Sequence, residues 1–269
     1  MSITLNSDYK IVAQKAIEKI KLDVLEAITS KFSPQAVKKG CSITVPLVGN
    51  KKAVPFCPVL LDQSSDSFIP LPDIEITNDK LADFAAEDMY AVAKKVINHA
   101  FSKVTAANYK REYMVTAASF SISDIVKLIQ LAITSGFSKG SIVLNTEVYG
   151  ALLNNNNHIL QGKNIFKFMN FDIMGYADLP NNSENLVGMI LNPVAIACAS
   201  SPVLSPEHLK TQMQVVTSTN TGISMGLIKF YDNNSGKTYQ GVHLIHGSIA
   251  TQSDSLIRIV TTHIKTNQK

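Results

Sequence analysis

Between Asp8 and Phe32, apolar Ile17, Ile20, Val24 and Ile28 recur at spacings of three and four, with Glu18, Lys19, Lys21 and Asp23 between them. That period marks one face of an α-helix. Ser33-Pro34 predicts its end, because the residue before a proline is pushed out of the helical region. From Gly40 to Asp79 the pattern changes. "CSITVPLVGNKKAVPFCPVLL" holds two β-rich runs around Gly49-Asn50-Lys51-Lys52, the expected tip of a hairpin. Prolines at 46, 55, 58, 70 and 72 exclude a central sheet strand, since each removes a ladder donor. The segment is expected to project as an edge-like arm whose apolar residues cannot be buried within its own chain.

The helical period returns behind Asn78 or Asp79, either of which can cap a long helix reaching about Ala107. Leu81, Phe84, Ala85, Met89, Val92, Val96 and Ala100 line one face of it. After the β-like "EYMVTAASF", Ser121-Ile122-Ser123-Asp124 forms a capping box, with Asp in the last place. It opens a helix through Ile125, Leu128, Ile129, Ala132 and Ile133 that Gly136 stops. A strand at Ser141–Leu144, a short helix to Leu153 and the polar run Asn154–Asn157 follow. "FDIMGYADLP" and "NLVGMIL" predict two more strands, and Asn192-Pro193 is expected to cap a short helix, "VAIACAS".

The last third is mostly β: "QMQVVTS", "SMGLIKFYD", a turn at Asn233-Asn234-Ser235-Gly236, "TYQGVHLIHGSIA" and "LIRIVTTHI". No repeat of fixed period occurs. Helical and β segments are segregated, which gives an α+β class and not a regular βαβ alternation.

Composition narrows the picture. In 269 residues, 45% hydrophobic and only 17% charged content describes a folded chain of one large or two modest domains. The net charge of +4 is spread out with no basic block, so no nucleic-acid footprint is legible. Cys41, Cys57 and Cys198 cannot pair completely and show no C-x-x-C spacing, so they read as small apolar fillers in a reducing compartment. "MSITLNSDYK" lacks the basic and apolar regions of a signal peptide. "LVGMILNPVAIACASSPVL" (186–204) imitates a membrane span, which wants roughly 20 mostly apolar residues. Asn192-Pro193 and Ser200-Ser201-Pro202 interrupt it, and a buried strand, a turn and a buried short helix are expected instead.

Candidate chemistry is sparse. Gly222-Ile223-Ser224-Met225-Gly226 matches the G-x-S-x-G nucleophile elbow, and Asp254 and His263 follow in hydrolase order. The elbow needs a strand before its serine and a helix after it. Here a turn precedes Ser224 and a strand follows, so Gly222 and Gly226 read as turn and bulge glycines. His243 and His246 stand three apart on a strand, on opposite faces, and cannot chelate one ion together. Gly136 and Gly140 precede a strand, whereas a phosphate loop follows one; Gly162-Lys163 lacks the P-loop spacing. Lys51-Lys52 can meet acidic groups of a neighbour or remain a solvated turn. No catalytic, cofactor-binding or metal-binding residue is expected.

The order of elements, with "SIVLNTEVYGALLNNN", "GKNIFKFMNFDIMGYADLP", "VGMILNPVAIACASSPV" and "TGISMGLIKFYDNNSGKTYQGVHLIHGSIATQSDSLIRIV", resembles the major capsid proteins of tailed bacteriophages, whose coat fold is called HK-97-like or Johnson. The likeness is specific in residues 141–260 and topological in residues 1–110. It implies an N-terminal arm helix at 1–39 and an extended β-hairpin loop at 40–78. It also implies a peripheral domain at 79–117 and 212–251 with a long spine helix, and an axial domain at 118–211 and 252–269.

The resemblance further implies a structural protein without catalysis, which self-assembles into pentamers and hexamers of an icosahedral shell around double-stranded DNA. Scaffolding and portal proteins are the expected partners. The DNA is enclosed without sequence-specific binding, no membrane is involved, and the subunit is made in the host cytoplasm for the virion. Asn50, Lys51, Lys52, Asn154, Asn155 and Asn156 are the expected inter-subunit contacts. The loop lysines are placed where some coat proteins crosslink, yet no catalytic carboxylate can be identified. Two alternatives stay open: an encapsulin-type compartment shell, and an α/β-hydrolase-type enzyme using Ser224.

Overall fold

A computed structural model describes residues 7–19, 23–47, 56–71, 77–155, 165–203, 212–219 and 221–261. It begins with α1 (Ser7–Glu18), a 3-10 turn (Asp23–Ala27) and strand β1 (Thr29–Phe32). The single helix expected over 8–32 is therefore corrected. Val24, Leu25 and Ala27 are buried in the turn, and the four residues after Ile28 pair as an edge strand, so tertiary packing overrides the helical period.

The arm strands β2 (Ser42–Pro46) and β3 (Phe56–Leu60) pair antiparallel, with Ser42 opposite Leu60. One expectation is overturned here. Val45, Leu47, Val59 and Leu61 are buried within the chain, against Val194, Ala197, Ala199 and Ile245. Their alternate neighbours Phe56 and Leu60 face outward, as a strand's period of two requires. Strand β4 (Gln63–Pro70) then joins the main sheet, ending on Pro70.

The long helix α2 (Asn78–Phe101) is capped one residue earlier than expected, by Thr77, and ends six residues earlier. Ala85, Met89, Val92, Val96 and Ala100 form the buried stripe, whereas Phe84 lies outside it and is exposed. Its C-terminal carbonyls are claimed from afar: Asn182 Nδ2 donates to the carbonyls of Phe101 and Val104, at 3.0 and 2.8 Å. Those are groups that no further turn of helix satisfies.

Next come β5 (Glu112–Val115), a 3-10 turn (Ala117–Ser119) and α3 (Ile122–Thr134). The Asp124 carboxylate accepts from the Ser121 N–H at 3.0 Å, and Gly136 takes φ +92° past the helix end, both as predicted. Then follow β6 (Gly140–Leu144), α4 (Thr146–Asn154), β7 (Ile165–Phe168), β8 (Phe171–Gly175), β9 (Leu186–Leu191), a 3-10 turn (Pro193–Ala195) and β10 (Ile196–Pro202). "VAIACAS" is thus not a helix. Every residue of β10 is buried: Ala197 and Ala199 face the arm base, Cys198 faces the core beneath α2, and small side chains suit a strand covered on both faces. The chain closes with β11 (Gln212–Thr217), β12 (Ser224–Asp232), β13 (Lys237–Ala250), a 3-10 turn (Ser253–Ser255) and β14 (Leu256–Thr261).

The described residues form two six-stranded sheets beside the β2–β3 pair. The first has the order β1-β10-β13-β12-β11, with β4 added to β13. Residues 237–243 of β13 pair with β12 and residues 244–250 with β10, while β4 pairs with 239–246. Because the β4 register overlaps both others, β10 and β12 lie end to end along the opposite edge of β13. Helices α1 and α2 cover one face and the arm base covers part of the other. The second sheet, β5-β14-β9-β6-β8-β7, is backed by α3 and α4.

Candidate functional site

Ser224 is the first residue of β12, fully buried, with its Oγ 2.9 Å from Thr217 Oγ1. A strand follows it where an elbow needs a helix, and the hydroxyl is shut away from substrate. Asp254 is exposed and sits 3.7 Å from Arg111, and His263 lies outside the described residues. Among the described residues, no Ser–His–Asp constellation is brought together at Ser224.

Of the expected contact residues, Asn50, Lys51, Lys52 and Asn156 lie outside the described residues, as does Gly162-Lys163. Asn154 and Asn155 end α4 on the surface. Asn155 is also bonded within the chain, where its Nδ2 donates to the Phe120 carbonyl at 3.0 Å and ties α4 to the segment before α3. At the other end, Asn145 Oδ1 accepts from the Val148 N–H at 2.9 Å, and Val148 and Leu152 are buried against the second sheet. The β6–α4 junction is a packing unit, capped at both ends.

Surfaces suited to contact are apolar. Phe56 and Leu60 on the arm are 59% and 52% exposed, and Ile133 on α3 is 51% exposed. On the first sheet Phe68, Phe230 and Tyr239 form a run of rings, with centroids 5.7 and 5.5 Å apart. Exposed apolar patches of this kind mark protein–protein contact more often than catalysis.

Two buried polar clusters escaped sequence reasoning. In the first, Arg258 Nε donates to the Tyr109 carbonyl at 2.9 Å, Nη1 to Glu184 at 2.8 Å and Nη2 to Glu112 at 2.7 Å. Glu184 also accepts the Ala106 N–H, and Tyr109 Oη donates to the Ala195 carbonyl at 2.6 Å. One guanidinium therefore ties β14, β5 and the chain after α2 together.

The second cluster lies between α2 and the β4–β13 pair. His99 Nδ1 is 3.1 Å from Ser248 Oγ, and its ring stands edge-on to that of His246, centroids 5.1 Å apart. His246 Nε2 is 2.9 Å from Ser65 Oγ, and His243 Nε2 is 2.9 Å from Ser64 Oγ. Neighbouring serines on a strand face opposite ways, so the two β13 histidines do point apart, as expected. Asp88 accepts from Ser67 Oγ at 2.5 Å. Burial pulls His99 and His246 down, His246 to about 4, and pushes the Asp88 carboxyl up. The sequence signal was faint: Asp88, Lys95 and His99 share a flank of an otherwise apolar helix, opposite the serine-rich "QSSDS" of β4. Among the described residues, no cluster of three or more His, Cys, Asp or Glu is suited to a metal ion. No described helix is long and apolar enough to cross a membrane.

No family model and no curated protein sequence matches the chain. Solved structures do. The capsid of cyanophage P-SCSP1u aligns with a TM-score of 0.53 at 12% identity, over 88% of this chain and 87% of that one. A virus-like particle from Pyrococcus furiosus aligns at 0.51 and 12%, over 93% and 96%. The capsid of Ralstonia phage GP4 aligns at 0.50 and 9%, over 90% and 89%. Such identities carry a shared backbone plan and little of the side-chain detail. The chain has the HK-97-like coat fold of phage capsids.

Proposed function

We propose that this chain is a structural coat subunit that assembles with copies of itself into a closed icosahedral shell. The observation that carries the reading is the near full-length match to capsid chains, over 88% and 90% of this chain. Pentamers and hexamers are the closed rings such a shell requires. Double-stranded DNA is its proposed content, held without sequence-specific contacts, and scaffolding and portal proteins are its proposed partners. The subunit's place is then the virion, after synthesis in the host cytoplasm.

In this reading the first sheet with α2 forms the peripheral unit and takes in residues 196–202. The second sheet with α3 and α4 forms the axial unit, and 40–78 is the extended loop, whose last strand, β4, it shares with the first sheet. Asn50, Lys51, Lys52, Asn154, Asn155 and Asn156 are proposed at subunit contacts, Asn155 through whatever its internal bond leaves. Stable interfaces bury roughly 1,200–2,000 Å², and the outward Phe56 and Leu60 offer the arm's apolar share.

Electron microscopy and sedimentation of the expressed protein test the proposal, with closed particles as the expected result. A protein that stays monomeric through changes of salt, concentration and temperature would overturn it. Particles filled with a host enzyme, encoded without neighbouring portal or terminase genes, would favour a cellular compartment over a virus.

A further inference from the structure

Helix α2 holds the first sheet in two ways. Its apolar stripe packs on the sheet core, and its flank toward β4 carries Asp88, Lys95 and His99, seven and four residues apart. Asp88 and His246 are 4% and 3% exposed. Asp88 Oδ1 accepts from Ser67, while Oδ2 is buried with no partner among the described residues. Lys95 Nζ donates to the Asp66 carbonyl at 2.6 Å. His246 Nε2 meets Ser65 Oγ, and its Nδ1 is buried with no partner among the described residues. Strand β4 is thus held at three points: at its arm-proximal end at Ser65 through His246 and, beyond it, His99; at the Asp66 carbonyl by Lys95; and at Ser67 by Asp88.

The charged and titratable surroundings of the pair are few. Lys103 lies just past the end of α2, and Asp62 sits in the link from arm to β4. Asp66 attends His243 on the opposite face. From β10 come Ser200, opposite His246 in register, and Cys198, whose buried thiol is pushed up to about 12 and stays neutral.

We propose that the His99–His246 contact is an acid-opened latch fixing the arm-proximal end of β4 to the long helix, with the Asp88–Ser67 contact as a pivot that stays closed. In the neutral state His246 presents one N–H and one bare ring nitrogen. A proton makes both nitrogens donors, and Nδ1–H then has no acceptor in a buried site. A second proton on His99 sets two cations with centroids 5.1 Å apart. Among the described residues, the acidic group that opposes that repulsion is Asp62. Asp88 responds in the opposite sense, because protonation removes a buried charge while Ser67 can keep its bond to a carboxyl oxygen. Acid therefore loosens residues 63–66 and spares residues 67–70, which remain paired with β13. Since β3 runs into β4 through Leu61 and Asp62, opening the latch unties the arm base from the helix. The latch stands on the fold; its use in changing how the arm meets a neighbouring copy rests on the shell reading.

Hydrogen exchange on the unassembled chain at about pH 7 and about pH 4, corrected for intrinsic rates and resolved into 63–66 and 67–70, tests it. The displacement of His246 from 6.5 to about 4 sets an opening of 63–66 that grows on the order of a hundredfold, with 67–70 unchanged. His246→Gln keeps an amide near Ser65 without titrating and should flatten the response. His99→Gln should diminish it and stands in should the first variant not fold. Equal responses of the two segments, or a full rise at 63–66 in either variant, would overturn the latch. Particle formation, followed separately by light scattering near pH 7, keeps the two ideas apart. A chain that opens selectively but never assembles sinks only the shell reading, and one that assembles without selective opening sinks only the latch.

Discussion

The carbonyl oxygen of Leu60 rests directly on Gly247: a Cβ built on that glycine would fall 1.8 Å from it. The arm base crosses β13 at a site where only a hydrogen fits. Backbone, not a flexible side chain, is the obstacle, so Gly247→Ala must lift the end of β3. The expected cost is about 1–3 kcal/mol or somewhat more, read as a lower urea midpoint. Proteolysis within residues 40–62 should precede global unfolding, and an unchanged midpoint would contradict the close approach.

Arg258, with a side chain 4% exposed, answers two carboxylates and one carbonyl. Removing it leaves the buried carbonyl of Tyr109 and the partly buried Glu184 without their cation. Arg258→Met should cost about 3–5 kcal/mol, the range for breaking a buried pair from one side. Arg258→Lys should recover little, because one ammonium cannot reach along three directions. Equilibrium unfolding of both variants, with Glu112→Gln for comparison, checks the order: Glu112 is 46% exposed and should matter least.

The buried titratable groups give stability a pH dependence with two signs. His246 has a folded value of about 4, below the unfolded value of about 6.5, so the unfolded chain binds more protons between them. Its contribution is whole above about pH 6.5 and is lost as pH falls to about 4, with a ceiling of about 3 kcal/mol. Asp88 is raised by burial, so its folded form holds the proton more readily and gains stability on acidification. In Asp88→Asn that opposing gain disappears. Urea midpoints should fall between about pH 6.5 and 4 in the parent and more steeply in the variant; a shallower fall would reverse the assignment.

Ser224→Ala removes the partner of the Thr217 hydroxyl and nothing that meets solvent. It should cost about 0.5–1.5 kcal/mol and leave particle formation intact. An esterase activity of the parent abolished by this change would instead restore the hydrolase reading.

Much of the fold was legible because local chemistry and tertiary structure agree there. The Ser121–Asp124 box, the Gly136 stop and the Asn233–Gly236 turn are set by short-range bonds. Failures lie where a distant element decides. "VAIACAS" carries a helix-compatible run, yet β13 and β1 on its edges and the arm and the core beneath α2 on its faces make it a strand. β1 is a strand only because β10 lies beside it. The polar clusters were illegible for the same reason: His99 and His246 are 147 positions apart, and only the crossing of α2 over β13 joins them.

The double-edged pairing of β13 also constrains the order in which the chain can mature. Until residue 250 has left the ribosome, β4, made some 170 residues earlier, has no strand to bond with, and β10 lacks its antiparallel neighbour. The arm base, which packs on Ile245, waits with them. Most of the first sheet must therefore wait until β13 is made and then form by closure of very long loops, which is slow and leaves strand edges bare. Newly made chains pass through a stage in which their unpaired strands can find one another before they find β13.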